Sequence, residues 1–326
     1  MTNDILVSGR SIDSTIRAQL ALTRIDAYLG WGKVEEAVRL LDNLESHGVD
    51  ENSIALRKAV LAFAEESTQD ATQAITSIDS SRLERGERVW LAFLHGWLDA
   101  ASGDFESARI EFETARSGAE DVSSELYSRI ALLTFVHELE NSEDSISIEE
   151  LRQSYEAFRG SEDGYRYAQL FAVAADKDGD REGAIGILNT ALEELPVEYR
   201  SIGDQMRLLQ VVIAGLDSDA GRESARSLVV DGSDRGLQRV ALQQMATNGL
   251  SSSEEQNQYF LDTLDTMLDK YPPHALAPEA LYYRAVSKYY SAIREESSDS
   301  FISVDDDGER LLRDYPDSEY NRGALA

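Results

Sequence analysis

GDFESARIEFETA, residues 103–115, sets a glycine, an aromatic and two alanines at fixed intervals. Gly96 stands seven residues before Gly103; Ala108 follows that glycine by five and Ala115 follows Ala108 by seven. Ala172, Gly179, Ala184 and Ala191 repeat the spacing. Gly32 and Ala37 lie five apart in WGKVEEAVRLL, between Tyr28 and Leu41. Gly103 falls 71 residues beyond Gly32, and Gly179 falls 76 beyond Gly103. Each gap holds two units of roughly 34–40 residues, the size of a helix-hairpin repeat. Two less regular units fill the gaps. ENSIALRKAVLAFAEE (51–66) with DATQAITSID (70–79) fits the first, and ELYSRIALLTFVHEL (125–139) with SIEELRQSYEAFRG (147–160) fits the second.

Packing explains the spacing. Apolar residues recur at intervals of three and four between polar breaks, as amphipathic helices require. No alternating β-branched run bounded by tight-turn dipeptides is present. Two antiparallel helices approach closely only where a small side chain faces the neighbour. Gly96 and Ala172 on first helices, with Ala108 and Ala184 on second helices, are the expected contacts. Gly103 and Gly179 suit the left-handed turn after a helix. Asp104 and Asp180 suit the cap of the next one. Phe112 and Leu188 then fill the space between.

The pattern resembles the tetratricopeptide repeat. The family's small first-helix residue, turn glycine, second-helix alanines and closing proline match Gly96, Gly103, Ala108 and Ala115, and again Ala172, Gly179, Ala184, Ala191 and Pro196. The aromatic usual after the turn is Phe105 in one copy and is replaced by Arg181 in the other. The tyrosine usual late in the first helix is replaced by Asp99 and Ala175, and Ile25 is large for the small position of the first copy. The resemblance implies an all-α fold: seven to eight helix hairpins stacked into a right-handed superhelix, an α-α solenoid with a long concave surface.

The last third changes character. LDKYPPHALAPEALYYRAVSKYY (268–290) and LLRDYPDSEYNRGALA (311–326) each end a helix in Tyr-Pro and start another. Proline stops a helix and restricts the residue before it, while Pro278 suits a first helical turn and Ser318 a cap. This region resembles the tetratricopeptide lipoproteins of outer-membrane assembly and the Tol–Pal coordinator proteins. The expected division is therefore 1–250, tetratricopeptide-like repeats, and 251–326, repeats of the envelope-assembly type. A helix opened by Ser318 would run only about two turns to Ala326, too short to stand alone. The expectation is a chain cut from a longer one, or a frayed end.

Composition bounds the function. No cysteine is present among 326 residues, which removes disulfides and thiol chemistry. No apolar run approaches the ~20 residues of a membrane helix, so a soluble chain without direct membrane insertion is expected. The start, MTNDILVSGRSIDS, lacks the pattern of a secretory signal. Lysine plus arginine number 31 against 61 acids, for a formal charge of −30; the lysines are Lys33, Lys58, Lys177, Lys270 and Lys288. This field repels nucleic acid and anionic lipid. It favours a protein or peptide partner of basic or mixed charge; the plainer alternative is a solvated acidic surface.

Reactive chemistry finds no signature. His47, His95, His137 and His274 include no pair at metal-ligand spacing, so packed or partly exposed rings are expected. DKDGDREGAIGI (176–187) and SVDDDGERLLRD (303–314) have the acids of a calcium loop. The first lacks its glycine and closing glutamate, having Arg181 and Ile187 there, and the second has Ser303 for the leading acid. Helix capping at a turn is the expected use of both. No G-x-S-x-G, P-loop or G-x-G-x-x-G occurs. No enzyme, cofactor or metal is expected.

The remaining constellation is aromatic. Trp90, Phe93 and Trp97 share one helix face. The family pattern anchored on Gly96 places them in a concave groove, with Arg166, Gln169 and Val173, and Tyr282, Val286 and Tyr289, as counterparts. Grooves use such aromatics as anchors; the alternative is that the rings pack against the next helix. The expected function is a non-catalytic interaction scaffold that binds a peptide or a partner's helix, with cell-envelope assembly the implied setting. The compartment is then periplasmic or extracytoplasmic, with the cytoplasm as the alternative. The repeat region of a larger enzyme or signalling protein, or a self-associating repeat oligomer, remains open.

Overall fold

The structure is a computed structural model that describes residues 14–30, 33–41, 44, 49–141, 147–251, 253–270, 273–295 and 298–321. Among the described residues it is all-α: sixteen α-helices joined by short connections, with no strand. The helices form two compact units, Met1–Ile146 and Ser147–Ala326.

In the first unit, α1 (Ser14–Gly30) pairs with α2 (Val34–Leu41), α3 (Glu51–Ala64) with α4 (Thr68–Thr76), and α5 (Arg85–Ser102) with α6 (Phe105–Glu120). Helix α7 (Ser124–Asn141) follows and packs on both α6 and α5. The first helices also lie side by side, α1 against α3 and α3 against α5. This is nearest-neighbour stacking: each hairpin buries its apolar face only against the next, as in repeat proteins.

The second unit opens with α8 (Ile148–Ala157), which packs on α9 (Glu162–Lys177). Helix α9 pairs with α10 (Arg181–Glu194), α11 (Arg200–Ala214) with α12 (Asp219–Asp231), α13 (Arg235–Ser251) with α14 (Glu254–Leu268), and α15 (Ala277–Glu295) with α16 (Ser298–Asp314). First helices again stack in order: α9 on α11, α11 on α13, α13 on α15. One apolar core runs from Val211 through Met245, Phe260 and Leu281 to Leu311, so hairpins on either side of residue 250 share their interior.

The glycine pattern acts as its chemistry requires. Gly103 has φ +86° and Gly179 φ +91°, conformations that a side chain disfavours. The Asp104 carboxylate accepts from the Ser107 N–H at 3.2 Å and Asp180 from Gly183 N–H at 2.9 Å. A Cβ on Gly96 would lie 2.6 Å from the Phe112 ring and 3.1 Å from the Ala108 carbonyl oxygen, so α5 and α6 meet at the place the spacing indicated. Ala115, Ala172, Ala184 and Ala191 are fully buried, as is Leu188, and Phe112 is nearly so. Burying one such ring is worth on the order of 2–3 kcal/mol. Pro278 stands in the first turn of α15. The Ser318 hydroxyl accepts from the Tyr320 N–H at 3.3 Å, while residues 322–326, the rest of the expected last helix, lie outside the described residues. Gly32 and His47 also lie outside them.

The acidic stretches divide. In the first, Asp180 caps α10 and Asp176 faces Arg181 at 3.5 Å. The second is a correction: residues 303–314 are helix, not a turn. Asp307 lies inside α16, buried, and accepts from Arg284 Nε at 3.0 Å and from Lys288 Nζ at 2.9 Å. The Asp-rich run therefore supplies a buried counter-charge to α15.

Candidate functional site

Packing claims most of the expected groove. Phe93 has no exposed surface and Trp97 is 7% exposed. The Phe63 ring of α3 meets both edge-on, with centroids 5.1 Å away. Phe93 also lies 5.8 Å from Phe112 and from Trp90, and His137 stacks on Phe112 at 5.9 Å. These rings form the seam between hairpins. A peptide cannot reach Phe93, and Trp97 offers it almost nothing. Trp90 is only partly buried at the edge of the cluster.

The counterparts are scattered in character. Arg166 is exposed and pairs with Glu162 one turn earlier. Gln169 and Val173 are half-buried on α9, as is Val286 on α15. Tyr282 packs with Tyr283 and Tyr320, centroids 5.5 and 5.3 Å away. Tyr289 is exposed beside Tyr290.

A different recess is present in the second unit. Helices α12 and α14, the second helices of adjacent hairpins, pack side by side. Their N-terminal halves line an open cleft of about 940 Å³. Ser218 caps α12, and Ser253 with Gln256 forms a capping box on α14. Gln256 Nε2 donates to Asp217 across the gap at 3.0 Å. The lining carries Asp219, Glu223, Glu254, Glu255 and Asp262 against one cation, Arg222. All five acids are exposed.

Tyr259 forms the apolar wall. Its ring lies 5.8 Å from both the Arg222 and Arg226 guanidiniums. Its hydroxyl donates to Glu223 at 3.3 Å. Burial, and then the Glu223 carboxylate, push the phenol above its ordinary value, so it stays a neutral donor. Arg222 is engaged by Asp219 one turn away, and Arg226 donates to Thr266 at 3.3 Å. Both arginines are held against the ring, and the carboxylates face water.

Sequence reasoning missed this cleft because acids in a first helical turn read as dipole partners. The repeat distance held a signal: Glu223 and Tyr259 are 36 residues apart, and Arg226 and Thr266 are 40 apart.

Two of the described histidines, His137 and His274, are at least partly packed. His137 lies among phenylalanines and His95 is exposed. His274 Nδ1 accepts from the Leu276 N–H at 3.1 Å, and its pKa is lowered by burial and by Lys270. Among the described residues no three His, Asp or Glu side chains converge as a metal site, and no helix is long and apolar enough to cross a membrane. Compared with known proteins, the chain matches no protein-family model and no curated sequence.

Proposed function

We propose that this chain is a non-catalytic, tetratricopeptide-like interaction scaffold that docks an extended basic segment of a partner protein in the α12–α14 cleft. The observation that carries this is the lining: five exposed carboxylates and one paired arginine around a tyrosine wall. Rows of carboxylates attract lysine and arginine from a distance and speed encounter more than they tighten the complex. The ring and the arginine stems add apolar surface for a peptide backbone. The small residues and capped turns of the hairpins supply rigidity, so little ordering cost falls on the scaffold. The Tyr-Pro segments of the last third support a cell-envelope setting.

The test uses the full chain and two fluorescent peptides, one alternating lysine with glycine, the other alternating glutamate with glycine. Anisotropy at low salt should show saturable binding of the lysine peptide only, weakening steeply as salt rises. Combining Glu223→Gln, Glu254→Gln and Glu255→Gln should weaken binding about tenfold, since three exposed carboxylates at about 0.5 kcal/mol each amount to one decade. Helical circular dichroism should not change. Unchanged affinity in the folded triple variant, or salt-independent binding, refutes the cleft.

A further inference from the structure

No histidine but His274 follows residue 137, so the second unit holds a single side chain whose ordinary pKa lies near neutrality. It stands in the connection from α14 to α15, half-buried. Both ring nitrogens are engaged. Nδ1 accepts from the Leu276 N–H at 3.1 Å, just before the first turn of α15. An acceptor at Nδ1 places the one proton of the neutral ring on Nε2.

On that side the ring meets the end of α12 and the start of α13. Nε2 lies 3.3 Å from Nε2 of the buried Gln238. That amide already donates to the Gly232 carbonyl at 3.0 Å and to the Val229 carbonyl at 3.3 Å, so both of its protons are committed. The ring's own proton goes to the Val229 carbonyl. The imidazole therefore joins the last turn of α12, through Val229, to the entry of α15, through Leu276.

A second proton has no place there. An imidazolium carries N–H at both nitrogens, so Nδ1 would point a proton at the Leu276 N–H and lose its hydrogen bond. The neighbouring charges do not welcome it. Lys270, just past α14, and Arg235, at the start of α13, oppose a cation. Asp231, at the end of α12, favours one but is already bound by Lys270 at 2.6 Å. Glu279, the acid in the first turn of α15, is bound by Arg239. Burial first, and then Lys270, hold the His274 pKa below the ordinary 6.5.

We infer that His274 is an acid-released clasp: neutral, it holds the entry of α15 against the α12–α13 turn, and protonated, it lets that entry open. The sign follows from linkage. A base whose folded pKa lies below its unfolded one leaves stability complete above the unfolded value and withdraws it as pH falls towards the folded value. The open form binds the extra proton, so the open fraction rises by up to about tenfold for each pH unit below 6.5 and levels off at the folded pKa. Carboxylates, with ordinary values of about 4, stay ionised over most of this window. No residue of the clasp lines the Tyr259 cleft, so either reading can fail alone.

Two measurements on the full chain test the clasp. Ring C–H signals of the histidines, followed by NMR between about pH 8 and 5, give the His274 midpoint. Amide hydrogen exchange, corrected for intrinsic rates, gives the protection of Ala277 and Ala280, whose N–H groups donate to the His274 and Leu276 carbonyls at 3.0 and 2.9 Å. The expected results are a ring midpoint below 6.5, and protection that falls by up to about tenfold per pH unit below that value and stops falling at the ring's own midpoint. His274→Asn keeps a side-chain acceptor for the Leu276 N–H but cannot titrate, so its protection should not change over the range. A midpoint of 6.5 or above, pH-independent protection in the parent, or an equal fall in the folded variant would each overturn the proposal. Should the variant fail to fold, the parent still decides: protection that keeps falling below the ring's midpoint assigns the opening to other groups and overturns the clasp.

Discussion

Replacing Gly96 by alanine tests the closest approach in the fold. The added Cβ would lie 2.6 and 2.8 Å from two atoms of the Phe112 ring, where real contacts do not occur, and 3.1 Å from the Ala108 carbonyl oxygen. The ring cannot swing away. It is 2% exposed and held between Phe93 and His137. Overpacking of this kind costs about 1–3 kcal/mol. Alanine returns about 1 kcal/mol of helix propensity, so Gly96→Ala should destabilise the first unit by about 1 kcal/mol, or about 2–4 °C in Tm. Gly86 is the control in the same helix. Its added Cβ would meet Leu126 at 3.8 Å and Val122 at 3.9 Å, ordinary contact, so Gly86→Ala should be neutral or stabilising by up to about 1 kcal/mol. The assay is urea and thermal unfolding followed by helical circular dichroism, comparing midpoints by one probe because arrays need not unfold in one step. Phe112→Leu should relieve the crowding, giving a coupling of about 1 kcal/mol with Gly96→Ala. If Gly96→Ala raises the midpoint as much as Gly86→Ala does, close helix docking through this glycine is wrong.

Three further outcomes are expected. Arg57 bridges three successive first helices through Asp26 and Glu87, with Glu87 largely buried, so Arg57→Met should cost about 3 kcal/mol by stranding that carboxylate, read as a lower urea midpoint. Acid should act on the same contact. Burial pushes Glu87 upward, but hydrogen bonds from Arg57 and Ser53 outweigh it and hold its pKa below the ordinary 4.5. Its contribution is therefore complete above that value and lost as pH falls through the lower folded value; the Tm advantage of the parent over Glu87→Gln should shrink only below about pH 4.5. In the second unit, Asp307→Ala should cost about 3 kcal/mol, because it removes the buried counter-charge of Lys288 and one of the two carboxylates that hold Arg284. Asp265→Ala, which removes the exposed partner of Arg284, should cost under about 1 kcal/mol in the same unfolding assay.

The hairpins were legible because their signals are local. Gly103 and Asp104 determine a turn within a few residues, and Gly96 with Phe112 determines a contact within one hairpin. One degenerate unit was found as well, α3 with α4 starting at Glu51 and Thr68, whereas α7 packs on α6 and α5, and α8 packs on α9. What the spacing left undecided was the assignment of faces. Trp90, Phe93 and Trp97 lie on one stripe, and a stripe cannot tell whether groove or neighbour receives it; here Phe63, 30 residues before Phe93, occupies the space. The change in motif near 250 does not interrupt the core, since Met245 and Phe260 are buried together across it. The Asp305–Asp307 run misled because an acid inside a helix looks like an acid at a cap until Arg284 and Lys288 are placed opposite it.

Charge pairing across the repeats changes what the excess of acids means. Arg57 meets Asp26 and Glu87 at separations of 31 and 30 residues, Arg159 meets Glu194 at 35, Lys270 meets Asp231 at 39, and Arg239 meets Glu279 at 40. Each separation is about one repeat, so these pairs cross from one hairpin to the next. These four cations are therefore spent in seams, and at Arg57 and Glu87, where both side chains are largely buried, salt screens the pair less. Many of the acids without such partners stand in first helical turns and on outer faces, as around Tyr259. Two chains of charge −30 could differ greatly in what they present to a partner. Around Tyr259 the placement leaves carboxylates outward and two guanidiniums against the ring, so the surface there is more acidic than the formal count suggests. The seam pairs tie each hairpin to the next. Exchanging Arg57 and Glu87 would preserve the net charge and reverse both buried polarities. It should damage stability far more than the Glu254→Gln, Glu255→Gln pair, which changes the net charge but touches no seam.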